Sequence, residues 1–302
     1  MKLIKPSFEI LPQSEGLDGI YKQIELAGRT CYKSEDRITE DSAKGFVDRM
    51  VKSGHGAMLE HGTVYLKVPN GKMYRDGAFR NFNEVFTDNL YYKVCSNEGI
   101  VYVTTNYRYI IENNLEHWLD YLCEPTEHHE KRITVKFICD RGVSHEFVRH
   151  RVFSFAQEST RYCNYSKGKF GEELTFIIPN WLNLEEGSYK ENYLISKQDG
   201  EKIKTIGCNI TFWNVSSSQE GRFLEACVWS EHYYMDLINT WGWKPQQARN
   251  VLPNSLKTEL VMTGSTSGWK HFFYLRTPVN AHPQARELAI PLKEEFIKRN
   301  LI

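Results

Sequence analysis

Stretches with a helical apolar period and stretches with a strand period follow one another in this chain without a regular beat, and that irregularity limits the folds open to it. A doubly wound sheet needs strand and helix to alternate, and here they do not. Helical spacing runs from near Gly16 to Ala27, where Gly28 predicts a stop. It returns after Thr39 and lasts to Gly54, with Phe46, Val47, Met50 and Val51 on one side. Alternation predicts a strand over Thr63–Val68, and Gly99–Ile110 and Arg132–Cys139 predict two more around a short helix near Leu115–Cys123. Residues 141–150 predict a helix that leads into an irregular segment, 151–166. A long helix over Glu220–Thr240, another opening at Pro245, a strand at Thr258–Met262 and a short helix over Ser267–Leu275 follow. Pro283 opens a last helix that Pro291 should kink. The expected class is therefore α+β, a mixed sheet flanked by helices. No repeat, low-complexity tract or long linker divides the chain, so one domain over 1–302 is expected.

Charge excludes some functions. Lys plus Arg and Asp plus Glu number 38 each, so no global field draws the chain to nucleic acid or to an anionic membrane. Any anion site must be built locally. Met1–Pro6 lacks the apolar run of a signal peptide, and no apolar stretch is long enough to span a bilayer. The seven cysteines are odd in number and scattered, with no CxxC pair, which favours free thiols in a reducing cytoplasm over a disulfide scaffold or a zinc ribbon.

The richest stretch in chemistry is 149–162, Arg-His-Arg-Val-Phe-Ser-Phe-Ala-Gln-Glu-Ser-Thr-Arg-Tyr. Arg149, Arg151 and Arg161 offer planar forks of donors suited to phosphate oxygens, and Ser154, Gln157 and Ser159 add neutral hydrogen bonds. Such a set suits a nucleotide. On spacing alone it suits equally an Arg–Glu network that holds the fold or a solvated charged face. A polynucleotide patch fits less well, because Glu146 and Glu158 sit among the arginines. His145 and His150 resemble the metal-binding HExxH pair with one residue too many. Five helical steps turn the second histidine about 140° from the first, so the pair cannot face one metal, and no metal is expected. The run 127–130, Glu-His-His-Glu, has no ligand spacing either.

Arg-His-Arg, then seven residues, then Ser is also the signature of the flavin-dependent thymidylate synthases, the ThyX family, and is met here by Arg149, His150, Arg151 and Ser159. Three further segments resemble the same family in the same order. Gly54–His61 resembles its Gly-His…Glu-His block, Ala248–Pro253 its Ala-Arg…Leu-Pro block, and Phe272–Arg276 with Gln284–Leu288 its C-terminal block. The resemblance is interrupted by an expected insertion around 70–130, of which Pro69–Tyr92 is polar and rich in Gly and Asn. It implies a ThyX-type fold, a homotetramer with active sites shared between subunits, and reductive methylation of dUMP to dTMP. Methylenetetrahydrofolate would be the carbon donor, FAD the cofactor and NADPH the reductant.

Site residues are implied position by position. Arg149, His150 and Arg151 would grip FAD, with Ala57, Gln157, Ser265, Ser267 and His271 as further contacts. Glu146, Arg149, Gln157, Glu158, Ser159, Thr160, Arg161 and Arg249 would hold dUMP. Arg276 would polarise the uracil ring by stabilising negative charge on its N3/O2 edge, and His55 would lie near flavin and folate. Moving electron density onto the C5 carbon needs a place for the developing anion, which a guanidinium provides at any working pH. Cysteine-dependent thymidylate synthases instead use a thiolate in a Pro-Cys-His context, and no cysteine here follows a proline or precedes a histidine. His55 and His61 each suit a structural hydrogen-bonded role as well as a functional one, and His55 is the preferred candidate. The chain departs from the family where Ala57 replaces a common hydroxyl residue and Gln157 a frequent Glu. It departs again where Ser265, Ser267 and His271 stand in place of longer donors. Two readings outside the family stand beside this one: a metal-dependent phosphohydrolase on pyrimidine nucleotides, and a polynucleotide-binding protein using Arg149–Arg161.

Overall fold

The computed structural model describes residues 1–69, 92–195, 202–207, 210–211 and 218–302. Its strands are β1 Lys2–Ile4, β2 Ser7–Leu11, β3 Thr63–Pro69, β4 Lys93–Asn97, β5 Ile100–Asn106, β6 Arg132–Asp140 and β7 Ser154–Gln157. They continue with β8 Thr175–Ile177, β9 Gly187–Ser188, β10 Lys190–Ile195, β11 Lys202–Gly207, β12 Ile210–Thr211 and β13 Lys257–Ser265. The α-helices are α1 Gly16–Tyr32, α2 Ser42–Lys52, α3 Gly56–Leu59, α4 Tyr107–Glu112, α5 Arg141–Phe147, α6 Gln219–Asn239, α7 Pro245–Ala248, α8 Thr266–Arg276 and α9 Pro283–Lys298.

The long, largely buried strands β6 and β13 lie side by side and antiparallel, with β2 and β7 outside them in the order β2-β6-β13-β7. Their register sets Arg132 opposite Ser265 and Thr134 opposite Thr263. One face of this sheet is covered by α5, α8 and α9 through an aromatic core of Phe137, Phe147, Trp269, Phe272, Phe273 and Phe296. Burying each such ring is worth roughly 1.5–3 kcal/mol. Trp269, fully buried, still satisfies its indole N–H by donating to the Ile133 carbonyl at 3.0 Å. The other face meets α1 over Ala27, Ala156 and Val261, small residues that let helix and sheet approach closely. A second antiparallel sheet, β3-β5-β4, packs its apolar side against α1 and α2, and a third, β8-β1-β9, carries α6. The architecture is α+β, and the one parallel pairing among the described residues is β1 with β8.

The structure changes several expectations. Gly28 does not stop α1, which continues to Tyr32 and ends where Lys33 takes a left-handed φ of 48°. The glycine is there for packing: a Cβ on it would lie 2.5 Å from the ring of Phe46 on α2. The strand expected to reach Ile110 ends at Asn106, whose side chain accepts the Tyr109 N–H at 3.0 Å and so caps α4. The helix expected near Leu115–Cys123 is a 3-10 turn, Glu116–Tyr121. The irregular segment 151–166 contains β7, which joins the main sheet. Within the stretch around 70–130, residues 70–91 lie outside the described residues, and the remainder supplies β4, β5 and α4.

Candidate active site

Asp140 ends β6 and caps α5 by accepting the Val143 N–H at 2.7 Å; Gln284 donates to its other oxygen at 2.6 Å. This short helix and the turn that follows it deliver Glu146, Arg149 and His150 to the edge of the aromatic core. Arg276, the last residue of α8, reaches them there. Its Nη1 donates to Glu146 Oε2 at 2.6 Å, its Nη2 to the Glu146 carbonyl at 2.7 Å, and its Nε to His150 Nε2 at 2.9 Å. Accepting through Nε2 places the His150 proton on Nδ1. Burial against Phe153 and Phe272, with the charge of Arg276 beside it, pushes His150 down to about 4, so it is neutral at physiological pH. The Glu146 carboxyl is held below its ordinary range, chiefly by the hydrogen bond from Arg276. The guanidinium is thus tethered in its plane through all three nitrogens, which fixes the direction in which its charge acts. Arg149, by contrast, is largely exposed and stands 4.0 Å from Glu146. His271 lies on the solvent side of His150, their rings 6.4 Å apart.

Arg151 and Ser265 line a cavity of about 120 Å³ whose far wall comes from β4 and β5. Ser265 caps α8, its hydroxyl accepting the Gly268 N–H at 3.2 Å, and lies 3.0 Å from the Ser267 hydroxyl. Ser267 in turn gives its N–H and hydroxyl to Glu130. Gln157 on β7 donates to Ser144 at 2.8 Å, a neutral bond that ties β7 to α5.

Beyond Gln157 the motif divides. Glu158 is buried and accepts from Lys257 at 2.8 Å and from the Tyr165 hydroxyl at 2.9 Å. Thr160 is buried as well, while Ser159 is half-buried and bonds the Cys31 carbonyl through its N–H at 3.0 Å. Arg161 is exposed, donates to Gln246 at 3.2 Å and lies over the Tyr162 ring. Arg249 is exposed just past α7, the helix that carries Gln246. His55 belongs to a separate wide cleft: it is exposed and lines that cleft with Arg29, Arg37, Arg49 and Tyr162, while Ala57, two residues on, is exposed. His61 is fully buried, its Nδ1 2.8 Å from the Thr263 hydroxyl, and burial followed by the nearby charge of Arg132 pushes it down to about 3. It is a neutral core histidine. Among the described residues no three His, Cys, Asp or Glu side chains gather where they could hold a metal ion.

The family model described as "Thymidylate synthase complementing protein" (Thy1) matches residues 93–299, more than half of the chain. The chain belongs to the Thy1 family. A flavin-dependent thymidylate synthase of Pyrococcus furiosus is 30% identical over 162 residues, which are 54% of this chain and 52% of that protein. The chain thus spans about half the length of that relative. A flavin-dependent thymidylate synthase of Mycobacterium marinum is 22% identical over 289 residues, 95% of this chain and 79% of the relative. A solved structure, the UMP/dUMP methylase PolB from Streptomyces cacaoi bound with 5-Br dUMP, is 17% identical with a TM-score of 0.43, covering 99% of this chain and 93% of that one.

In this Thy1 chain the motif residues fall into three groups: the Arg276 cluster, the cavity beside Arg151, and the exposed Arg161 and Arg249 near α7. His55 and Ala57 stand apart. Sequence reasoning missed three residues that complete the cavity wall, Lys93, Thr104 and Arg132. Only one signal could have marked any of them, the arginine that opens the amphipathic strand β6. It also missed the partners of Glu158, because Lys257 lies 99 positions away.

Proposed function

We propose that the protein is a thymidylate synthase that converts dUMP to dTMP, with methylenetetrahydrofolate as carbon donor, FAD as cofactor and NADPH as reductant. The observation that carries this reading is the tethered Arg276, a fixed positive charge whose acceptors are Glu146 on α5 and His150 of the Arg-His-Arg segment. The residues available for a flavin dinucleotide fit its chemistry: Arg149 and Arg151 are exposed cations, and Ser265, Ser267 and His271 supply hydroxyl and ring donors beside them. Arg161 and Arg249 supply exposed positive charge for the phosphate of dUMP, with Ser159 and Gln157 as neutral donors.

In this mechanism Arg276 stabilises negative charge on the uracil N3/O2 edge as electron density moves to C5. Glu146 keeps the guanidinium aimed, and neutral His150 positions it without adding a second positive charge. Turning a transferred methylene into a methyl group needs a hydride, which reduced flavin supplies when bound and NADPH replenishes. Three of the thiols are poor nucleophiles: burial pushes Cys31 up to about 11 and Cys163 and Cys227 up to about 12. That agrees with a route that needs no cysteine.

A homotetramer with shared active sites is part of the proposal. Trp241 (70% exposed), Tyr274 (74%) and Val279 (86%) offer apolar surface that a partner copy would cover. No described helix is long and apolar enough to cross a membrane, and the proposed place of work is the cytoplasm, with no nucleic-acid or membrane partner. The test is an absorption spectrum of the purified protein, before and after anaerobic NADPH and dUMP. An oxidised-flavin spectrum that bleaches with NADPH, and faster with dUMP, supports the reading. Absence of flavin even after reconstitution with FAD refutes it and brings forward a nucleotide enzyme without flavin.

A further inference from the structure

We propose that Arg132, Lys93 and Thr104, none of them in a family motif above, form with Arg151 a phosphate subsite for the dinucleotide cofactor. The proposal rests on the flavin reading and adds to it the chemistry of one wall.

The cavity lies where β4 and β5 face the turn that carries Arg151 and the cap that carries Ser265. Arg132 opens β6 directly opposite Ser265 in the ladder, so a ligand that touches Ser265 is within reach of its guanidinium. That guanidinium donates only to neutral oxygens: the Glu60 carbonyl at 3.1 Å, the Thr63 hydroxyl at 3.3 Å and the Ser154 hydroxyl at 3.4 Å. Burial makes its positive charge harder to hold. A desolvated cation normally keeps an acidic partner. Here neither acidic residue of the cavity hydrogen-bonds Arg132 through its carboxylate, and Glu60 favours its charge only through space. Glu60 accepts from Arg108 at 2.7 Å, and Glu130 accepts from Ser267. Lys93 and Arg151 are exposed on the same cavity and make no ion pair among the described residues.

A second, independent observation points the same way. Thr104 is one of the residues that line this cavity; it is 3% exposed, and its buried hydroxyl has no hydrogen-bond partner within the chain. Buried hydroxyls are rarely left so, because the lost water contacts are not replaced. Three cations without carboxylate partners and one unsatisfied hydroxyl describe a ligand with several acceptor oxygens and more than one negative charge. A pyrophosphate has both. Since Arg151 and Ser265 are also the residues expected to touch FAD, the phosphates of that cofactor are the occupant assigned here.

The experiment titrates the full chain, freed of bound flavin, with FAD, riboflavin and inorganic pyrophosphate, following flavin fluorescence and heat. Arg132→Gln should weaken FAD binding by about tenfold or more, the loss of one charge-assisted contact, and leave riboflavin, which lacks phosphates, within about twofold. Thr104→Val should also weaken FAD. A purely structural threonine would give no such loss, and the ligand-free Tm of this variant should be equal to wild type or higher. Lys93→Gln and Thr104→Val carry the test if Arg132→Gln does not fold. If these variants bind FAD as wild type does, the subsite is refuted and the flavin reading stands. If wild type binds pyrophosphate but no FAD, and Arg132→Gln loses that binding, the anion subsite stands and the flavin reading falls. Binding of neither ligand to wild type refutes both.

Discussion

Two charged regions of this molecule are organised in opposite ways. Around Glu259 on β13 the chain closes its charges on itself. Lys33, Lys136 and Lys257 approach that carboxylate at 2.7, 2.6 and 2.6 Å, and Lys257 also bonds the buried Glu158. Although burial works against ionisation, these lysines hold the Glu259 carboxyl well below the ordinary carboxylate range. Around Arg132, Arg149 and Arg151 the chain leaves positive charge open, each guanidinium having either no carboxylate partner or one as far off as 4.0 Å. The difference teaches which charges serve the fold and which await something else. A closed network has every acceptor occupied by the chain, whereas open cations at a cavity store attraction for an anion.

The contrast can be broken by mutation. Glu259→Gln leaves three lysines facing a neutral group in a buried place, and should lower unfolding free energy in urea by about 3–5 kcal/mol. A loss below about 1 kcal/mol would show that the network is not closed in solution. Arg276→Ala should lower kcat for dTMP formation by about 10²–10³-fold, the scale for removing one preorganised donor, with flavin still bound. Loss of flavin from that variant would move Arg276 out of the catalytic role.

Acidification should separate the two regions in order. His150 has its folded pKa pushed down to about 4, below the ordinary value of about 6.5 for an unfolded chain, so its stabilisation is complete above that value. It is lost as pH falls from about 6.5 towards 4, at a cost on the order of 3 kcal/mol. His61, also depressed, adds in the same direction. Glu259, with a lowered carboxyl pKa, should begin to contribute losses only below about 4.3. Unfolding curves across pH 4–7 check this, and the upper part of the fall should be reduced in His150→Asn. Gly28→Ala should cost about 1–3 kcal/mol through the collision with Phe46, whereas a glycine that only stopped a helix would gain from the same change. The smallest effect belongs to the open side: Arg149→Gln should alter Tm by less than about 2 °C while weakening ligand binding, since that side chain is 72% exposed.

Much of the fold was legible because its signals are local. The caps at Asp140 and Ser218 show as polar residues just ahead of the helical spacing they open. The Arg-His-Arg segment and its three companion blocks were legible as patterns of residue type. Gly28 misled because a glycine required by a neighbouring helix looks the same in sequence as a glycine that ends one. Ile110 misled because alternation continued past Asn106, where one side-chain hydrogen bond turned the chain.

By itself, then, the sequence determined the α+β class, the order of most elements and the residues proposed to meet a nucleotide, since all of these depend on period, capping and side-chain chemistry. Which charges would be free to act was decided only by the tertiary structure. Glu158 and Lys257, or Arg276 and Glu146, lie 99 and 130 positions apart and meet only when strands and helices pack. Desolvation depends on everything that surrounds a group, so the same arginine is a tether at 276, an open contact at 151 and an unpaired charge at 132.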